Sequence, residues 1–186
     1  MSTTRPLLAL AAAMAVLTAS PPTLAKPADY AAAVADKDRT ERNRTLDASR
    51  MPAEILDFAG LRRGQIVVDY MSGSGYWAEL FSRAVGPKGR VFASDPPSFA
   101  DPKSWAPILA SHRNVRQVLQ PIASTSFPAR VDLLFSNLNY HDLYWESEKY
   151  AFPRVDVPAV LAGWFKAVKR GGHVVIVDHA GPGGDT

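Results

Sequence analysis

The chain opens on an uncharged apolar run, Leu7 to Leu17, with Arg5 ahead of it and Pro21-Pro22 behind. This run carries no polar face and is too short to span a bilayer. With Thr23-Leu24-Ala25 before Lys26 it has the layout of a secretory leader cleaved near Ala25. From Ala31 to Arg50 the pattern turns Ala-rich and then mixed-charge, with Asp38 and Arg42 at helical i, i+4 spacing and Arg39, Arg44 and Arg50 nearby, and this predicts a solvated N-terminal helical arm. The alternative is that its arginines fold across an active-site mouth and hold an anionic ligand. A helix follows, started by Pro52, given an apolar face by Ala53, Ile55, Leu56, Phe58 and Ala59, and stopped by Gly60.

Beyond Gly60 the period shortens. Gln65 to Tyr70 is a β-branched run that reads as a buried strand and leads into Met71-Ser72-Gly73-Ser74-Gly75. Trp77, Leu80, Phe81, Ala84 and Val85 then recur at helical spacing, Gly86-Pro87-Lys88-Gly89 breaks the helix, and Arg90 to Asp95 reads as the next strand. The unit is a βαβ module. It is repeated more faintly by a helix over Trp105–Ser111, strands over Val115–Leu119 and Val131–Ser136, a helix over Val157–Val168 and a strand over Val174–Asp178, with Gly171-Gly172 between the last two. Five strands alternating with helices predict an α/β fold with a doubly wound parallel sheet.

Composition narrows this only a little. With 186 residues, 47% of them hydrophobic, the chain has material for one core. The division expected is a signal peptide over 1–25, a helical arm over 26–50, one domain over 51–180 and a flexible tail over 181–186. The net charge of +3 comes without an arginine- or lysine-rich block, so no nucleic-acid partner is expected. No other segment is long and apolar enough for a membrane span. The absence of cysteine excludes disulfides, thiolate metal sites and a cysteine nucleophile.

The chemistry concentrates at the Gly-rich turn. A strand that delivers Gly73 and Gly75 to a helix N-terminus lets a ligand approach bare backbone N–H groups. Asp95, twenty positions beyond Gly75, is placed to accept hydrogen bonds from a ribose diol, and together these make an adenosine-ligand site. Gly73 to Ala78 also satisfies the relaxed dinucleotide pattern Gly-x-Gly-x-x-Gly/Ala, so an NAD-linked oxidoreductase domain stands as an alternative.

The segment Val67 to Tyr76, followed by Val85-Gly86-Pro87-Lys88-Gly89-Arg90-Val91, resembles motif I of class I S-adenosylmethionine-dependent methyltransferases. Val131 to Asn137 is similar to their fourth strand, and Lys169 to Val174 to the turn into their fifth. With the leader, the Arg/Asp-rich arm and Tyr140-His141-Asp142, the chain resembles a group of predicted exported methyltransferases over roughly Asp36 to Asp178. The resemblance implies S-adenosylmethionine as cofactor, held by Asp69 on the methionine side, by Gly73, Ser74, Gly75 and Tyr76 at the turn, by Asp95 at the ribose and by Asn137 near the methyl group. The acceptor, a small molecule or another methylatable group, is expected near Asn137 to Asp142. It also implies export to the periplasm, and a Rossmann-like fold without the last two strands of the family, since the chain stops at Thr186. The strand Val174–Val177 would then offer an apolar edge for pairing with a second copy.

Methyl transfer depends on positioning, so candidate catalytic residues follow from location. Tyr140 is placed to offer its ring to a sulfonium, His141 to act as base and Asp142 to orient it. The competing reading packs Tyr140 in the core and uses His141-Asp142 as a cap. Met71 stands where the family has its first glycine, so its backbone is expected to avoid a conformation reserved for glycine. The family often places an acid after strand three to read adenine, whereas this chain offers Gln120 to Ser124. His173, Asp178 and His179 raise the question of a metal, but no ligand spacing completes a site and none is expected. A non-catalytic adenosyl-ligand-binding protein remains the reading outside the enzymes.

Overall fold

The computed structural model describes residues 26–180. The leader over 1–25 and the tail over 181–186 lie outside the described residues. Four short helices come first: α1 (Tyr30–Val34), α2 (Glu41–Arg44), α3 (Asp47–Arg50) and α4 (Pro52–Phe58). The alternating part follows as β1 (Ile66–Tyr70), α5 (Tyr76–Val85), β2 (Arg90–Asp95), α6 (Pro102–Ser111), β3 (Val115–Leu119), β4 (Val131–Asn137), α7 (Val157–Ala167) and β5 (Val168–Val177). The sheet order is β3-β2-β1-β4-β5, and every pairing is parallel. The doubly wound sheet is therefore present.

Local chemistry accounts for the element starts. Asp101 and Asp156 cap α6 and α7 by accepting the N–H of Ser104 and Ala159, and prolines occupy the first turn of both helices. The β-branched run of β1 and the Leu-Leu-Phe centre of β4 are buried on both faces, as central parallel strands must be. On one face Val67, Leu133 and Phe135 pack under Trp77, Leu80, Phe81 and Ala84 of α5. On the other, Val68, Tyr70, Phe92 and Leu134 pack against Val160 and Trp164 of α7.

Three expectations change. The arm is solvated on one side only: Lys37, Asp38, Glu41, Arg42 and Arg44 are exposed, but Arg39 and Asn43 are buried, Ala28 and Ala33 belong to the core, and Pro27 bridges Arg62. Most of its buried polar atoms find partners, Arg39 Nε and Asn43 Oδ1 excepted. Arg39 pairs with Asp47, and Asn43 Nδ2 donates to buried Glu79 of α5 at 2.7 Å. Asp38 and Arg42 do not pair along a helix; the Asp38 N–H bonds back to Asp36, while Arg42 reaches Ser104. Finally, Gly171-Gly172 does not separate α7 from the last strand. β5 begins at Val168 and runs through the glycines, with a register shift opposite Val131 and Leu133.

Candidate cofactor site

The C-terminal ends of β1, β2 and β4 open onto a cavity of about 340 Å3, the size range of small-ligand pockets. Asp69, Gly73, Ser74, Tyr76, Asp95 and Asn137 line it, together with Asp142. This is the point where the strand order reverses, with β1 passing to β2 on one side and β4 on the other, and where open α/β sheets bind ligands.

Asp69 and Asp95 end neighbouring strands and are both buried. Ser72 donates its hydroxyl to Asp69 Oδ2 at 2.6 Å. Burial pushes the Asp69 carboxyl up to about 7, against the Ser72 hydrogen bond, and the Asp95 charge pushes the same way. Asp95 is pushed up by burial to about 6, with the Gly73 N–H opposing. That N–H donates to Asp95 Oδ1 at 2.8 Å; Oδ2 is buried and makes no well-formed hydrogen bond, although the Gln117 side-chain amide lies near the carboxyl and also opposes the rise. A buried acceptor facing a cavity is suited to a ligand hydroxyl. The indole N–H of Trp77, also on the cavity wall, is likewise unpartnered.

The two glycines of the turn differ in purpose. Gly73 has φ +59° and open space where a Cβ would stand, so it leaves the cavity floor bare. Gly75 has φ +79° and caps α5; a Cβ there would meet Ile108 Cδ1 at 2.5 Å and Trp105 at 3.2 Å. Its hydrogen thus admits helix α6 and does not line the cavity. Met71 lines the cavity and, against expectation, does enter the left-handed region at φ +54°. Asn139 braces this bend by donating to the carbonyls of Tyr70 at 2.9 Å and Met71 at 3.2 Å, which offsets the modest cost of the conformation.

The triplet after β4 divides. Asp142 reaches the cavity wall, and burial raises its pKa above the ordinary range. His141 lies outside that wall, with Nε2 3.4 Å from Asp142 Oδ1 and Nδ1 2.8 Å from Asp178 Oδ1. Tyr140 packs toward Trp164, with ring centroids 6.3 Å apart, and its hydroxyl lies 3.2 Å from that of Tyr144. The orienting carboxylate read from sequence as Asp142 is closer in the form of Asp178, across the gap between β4 and β5.

Sequence reasoning missed Trp77 and Asn139, and it considered Asp178 only as a metal ligand and not as the partner of His141. Arg50 lines the cavity with its guanidinium 4.5 Å over the Tyr76 ring. The ring is held in turn by a hydrogen bond from its hydroxyl to Asp47 Oδ1 at 2.8 Å. The arginine-rich arm was the available signal, through the alternative that its arginines fold across the site mouth.

Solved structures share the fold. A S-adenosylmethionine-dependent methyltransferase from Aquifex aeolicus superposes with a TM-score of 0.57 at 23% identity, covering 74% of this chain and 71% of that one. A cyclopropane-fatty-acyl-phospholipid synthase-like protein from Lactobacillus casei ATCC 334 gives 0.54 at 15% identity, covering 74% of this chain and 52% of that one. The chain has the fold of class I S-adenosylmethionine-dependent methyltransferases. Within this methyltransferase fold, residues 25–96 match the protein-L-isoaspartate(D-aspartate) O-methyltransferase family, PCMT. A protein-L-isoaspartate O-methyltransferase of Ignicoccus hospitalis is 42% identical over 48 residues, which are 26% of this chain and only 23% of that relative's length. The matched family segment ends at Pro96, so it covers the cofactor half of the methyltransferase fold and stops short of the residues after β4.

Proposed function

We propose that the protein binds S-adenosylmethionine in the cavity between β1, β2 and β4 and catalyses methyl transfer by in-line displacement. The observation that carries this reading is the pair of buried carboxylates, Asp69 and Asp95, flanking an open Gly73, with Asp95 Oδ2 making no well-formed hydrogen bond. Asp95 accepts from the ribose hydroxyls. Asp69 offers negative charge to the cationic methionine end, while the Trp77 N–H and Arg50 offer donors to its carboxylate. When bound, the cofactor supplies an electrophilic methyl on a cationic sulfur, and the chain's task is to align an acceptor with it. Asp142, the member of the Tyr140-His141-Asp142 triplet on the cavity wall, stands on the acceptor side. Its raised pKa suits it to take the acceptor's proton as the acceptor–carbon bond forms and the carbon–sulfur bond breaks.

The likeness of residues 25–96 to PCMT favours a carboxylate acceptor of the isoaspartyl type as the first to test. A carboxylate is already a nucleophile and needs no base, whereas hydroxyl and amine acceptors would engage Asp142. The test is transfer of labelled methyl from S-adenosylmethionine to an isoaspartyl peptide, a phenol and an amine, with Asp142→Asn beside the parent. Labelling of the peptide alone, undiminished by Asp142→Asn, supports the carboxylate reading; labelling of phenol or amine, lost in the variant, replaces it. An NADH-linked turnover would revive the oxidoreductase alternative. The leader read over 1–25 would place the reaction in the periplasm, which cell fractionation of the tagged protein checks.

A further inference from the structure

Two loops at the C-terminal edge of the sheet bring together three metal-ligating side chains. His141 opens the turn after β4, and Asp178 and His179 follow β5 directly. Their ligand atoms all lie within 4.8 Å of one another. The carboxylate of Asp178 is held by backbone as well as by imidazole: the His141 N–H donates to Oδ2 at 3.0 Å and the His179 N–H to Oδ1 at 2.8 Å. The donor set is therefore fixed by the way the loops are tied to each other. In sequence Asp178-His179 lacks a third ligand, and it is the fold that supplies one.

The surroundings of His141 point to a cation. Its ring has a carboxylate oxygen at each nitrogen, Asp178 Oδ1 2.8 Å from Nδ1 and Asp142 Oδ1 3.4 Å from Nε2. An ionised carboxylate only accepts hydrogen bonds, so a neutral ring with one N–H leaves a nitrogen lone pair facing an oxygen lone pair. A cation between Nδ1 and Asp178 removes that conflict and leaves Nε2–H to donate to Asp142. This is the arrangement in which an outer carboxylate fixes the tautomer of a metal-bound histidine. The third donor, His179, next to Asp178 is what favours a metal.

We propose that His141, Asp178 and His179 form a binding site for a divalent transition-metal ion at the rim of the cofactor cavity. Two imidazoles and one carboxylate suit zinc, manganese or iron(II), whereas calcium and magnesium take oxygen ligands. Bonds of roughly 2.0–2.1 Å in a tetrahedral site put ligand atoms about 3.3 Å apart, against the present spacing of up to 4.8 Å. Three protein donors leave a position open, as in catalytic metal sites. The site goes beyond the methyl-transfer reading: an acceptor oxygen taken into that position would be held at the cavity rim and would lose a proton more easily.

The test uses the full 186-residue chain without an affinity tag, stripped with a chelator. It is titrated by calorimetry with Zn2+, and with Co2+ while the visible spectrum is followed. The expected result is one ion per chain, ligand-field bands with Co2+, and affinity lowered about tenfold or more in both His141→Ala and His179→Ala. His179 is exposed, and circular dichroism confirms that the variants fold. Binding well below one ion per chain, or binding that both variants retain, overturns the site. A parallel titration with S-adenosylhomocysteine separates the two readings: its binding without zinc binding sinks the metal site alone, and zinc binding without it sinks the methyltransferase reading alone.

Discussion

The backbone N–H of Gly73 donates to Oδ1 of Asp95 across the top of the sheet, at 2.8 Å. This bond ties the turn after β1 to the end of β2 and leaves the other oxygen of Asp95, a residue of the cavity wall, buried with no well-formed hydrogen bond. The turn and the acid that were candidates separately in sequence thus form one structural unit.

Proton release should accompany cofactor binding. Asp69 at about 7 and Asp95 at about 6 are partly protonated near neutrality, and both must ionise to accept ligand hydroxyl and ammonium groups. At pH 6.5 this amounts to about one proton per site, falling to almost none at pH 8.5. Calorimetry of S-adenosylhomocysteine binding in buffers of different ionisation enthalpy measures it. A heat independent of buffer at pH 6.5 would contradict the assignment.

The same raised values make the free protein less stable as pH rises. A carboxyl whose folded pKa lies above its unfolded value binds more protons when folded. Its stabilising contribution is complete below about 4 and is lost as pH climbs through about 7. Asp69→Asn removes that penalty, so it should raise the stability of the ligand-free chain at pH 8 by roughly 1–3 kcal/mol while weakening cofactor binding. Denaturant melts at pH 4, pH 5 and pH 8 check this, with the gain largest at pH 8, reduced to about a third at pH 5 and nearly absent at pH 4.

Gly73→Ala and Gly75→Ala should separate binding from stability. Both place alanine at positive φ, costing on the order of 1 kcal/mol. At Gly75 the added methyl also meets Ile108 at 2.5 Å, so the loss there should reach roughly 2–4 kcal/mol. At Gly73 nothing obstructs the methyl except a ligand, so affinity should fall more than stability does. Melting curves and ligand titrations on both variants distinguish the roles.

Arg39→Ala tests whether the arm is part of the domain. The guanidinium bonds Asp47 at 2.7 and 2.9 Å and the Val34 carbonyl at 2.8 Å, with its side chain fully buried. Removing it strands Asp47, which also positions Tyr76, and should cost about 3 kcal/mol. Arg44→Ala, an exposed neighbour, should stay within about 0.5 kcal/mol. Equal effects from the two would restore the solvated arm.

The sheet and the cofactor cavity were legible because they rest on local pattern. β-branched runs, a glycine turn and an acid at a strand end lie close together in sequence, and the cavity contains all but Gly75 of the cofactor candidates. What was missed depends on pairings between distant residues. Arg39 looks like a surface charge until Asp47 and the Val34 carbonyl surround it. Asp178 looks like the end of an edge strand until β4 places His141 beside it, 37 residues away. Gly75 looks like a ligand contact, and only the approach of Ile108 and Trp105 reveals a packing glycine.

The central claim is that Asp69, Gly73 and Asp95 frame an S-adenosylmethionine site. Calorimetric titration of the folded chain with S-adenosylhomocysteine tests it, with Asp95→Asn and NADH as comparisons. Saturable binding at one site per chain, greatly weakened in Asp95→Asn and absent with NADH, is the expected result. A folded chain that binds no S-adenosylhomocysteine, or binds it equally well in Asp95→Asn, would contradict the account.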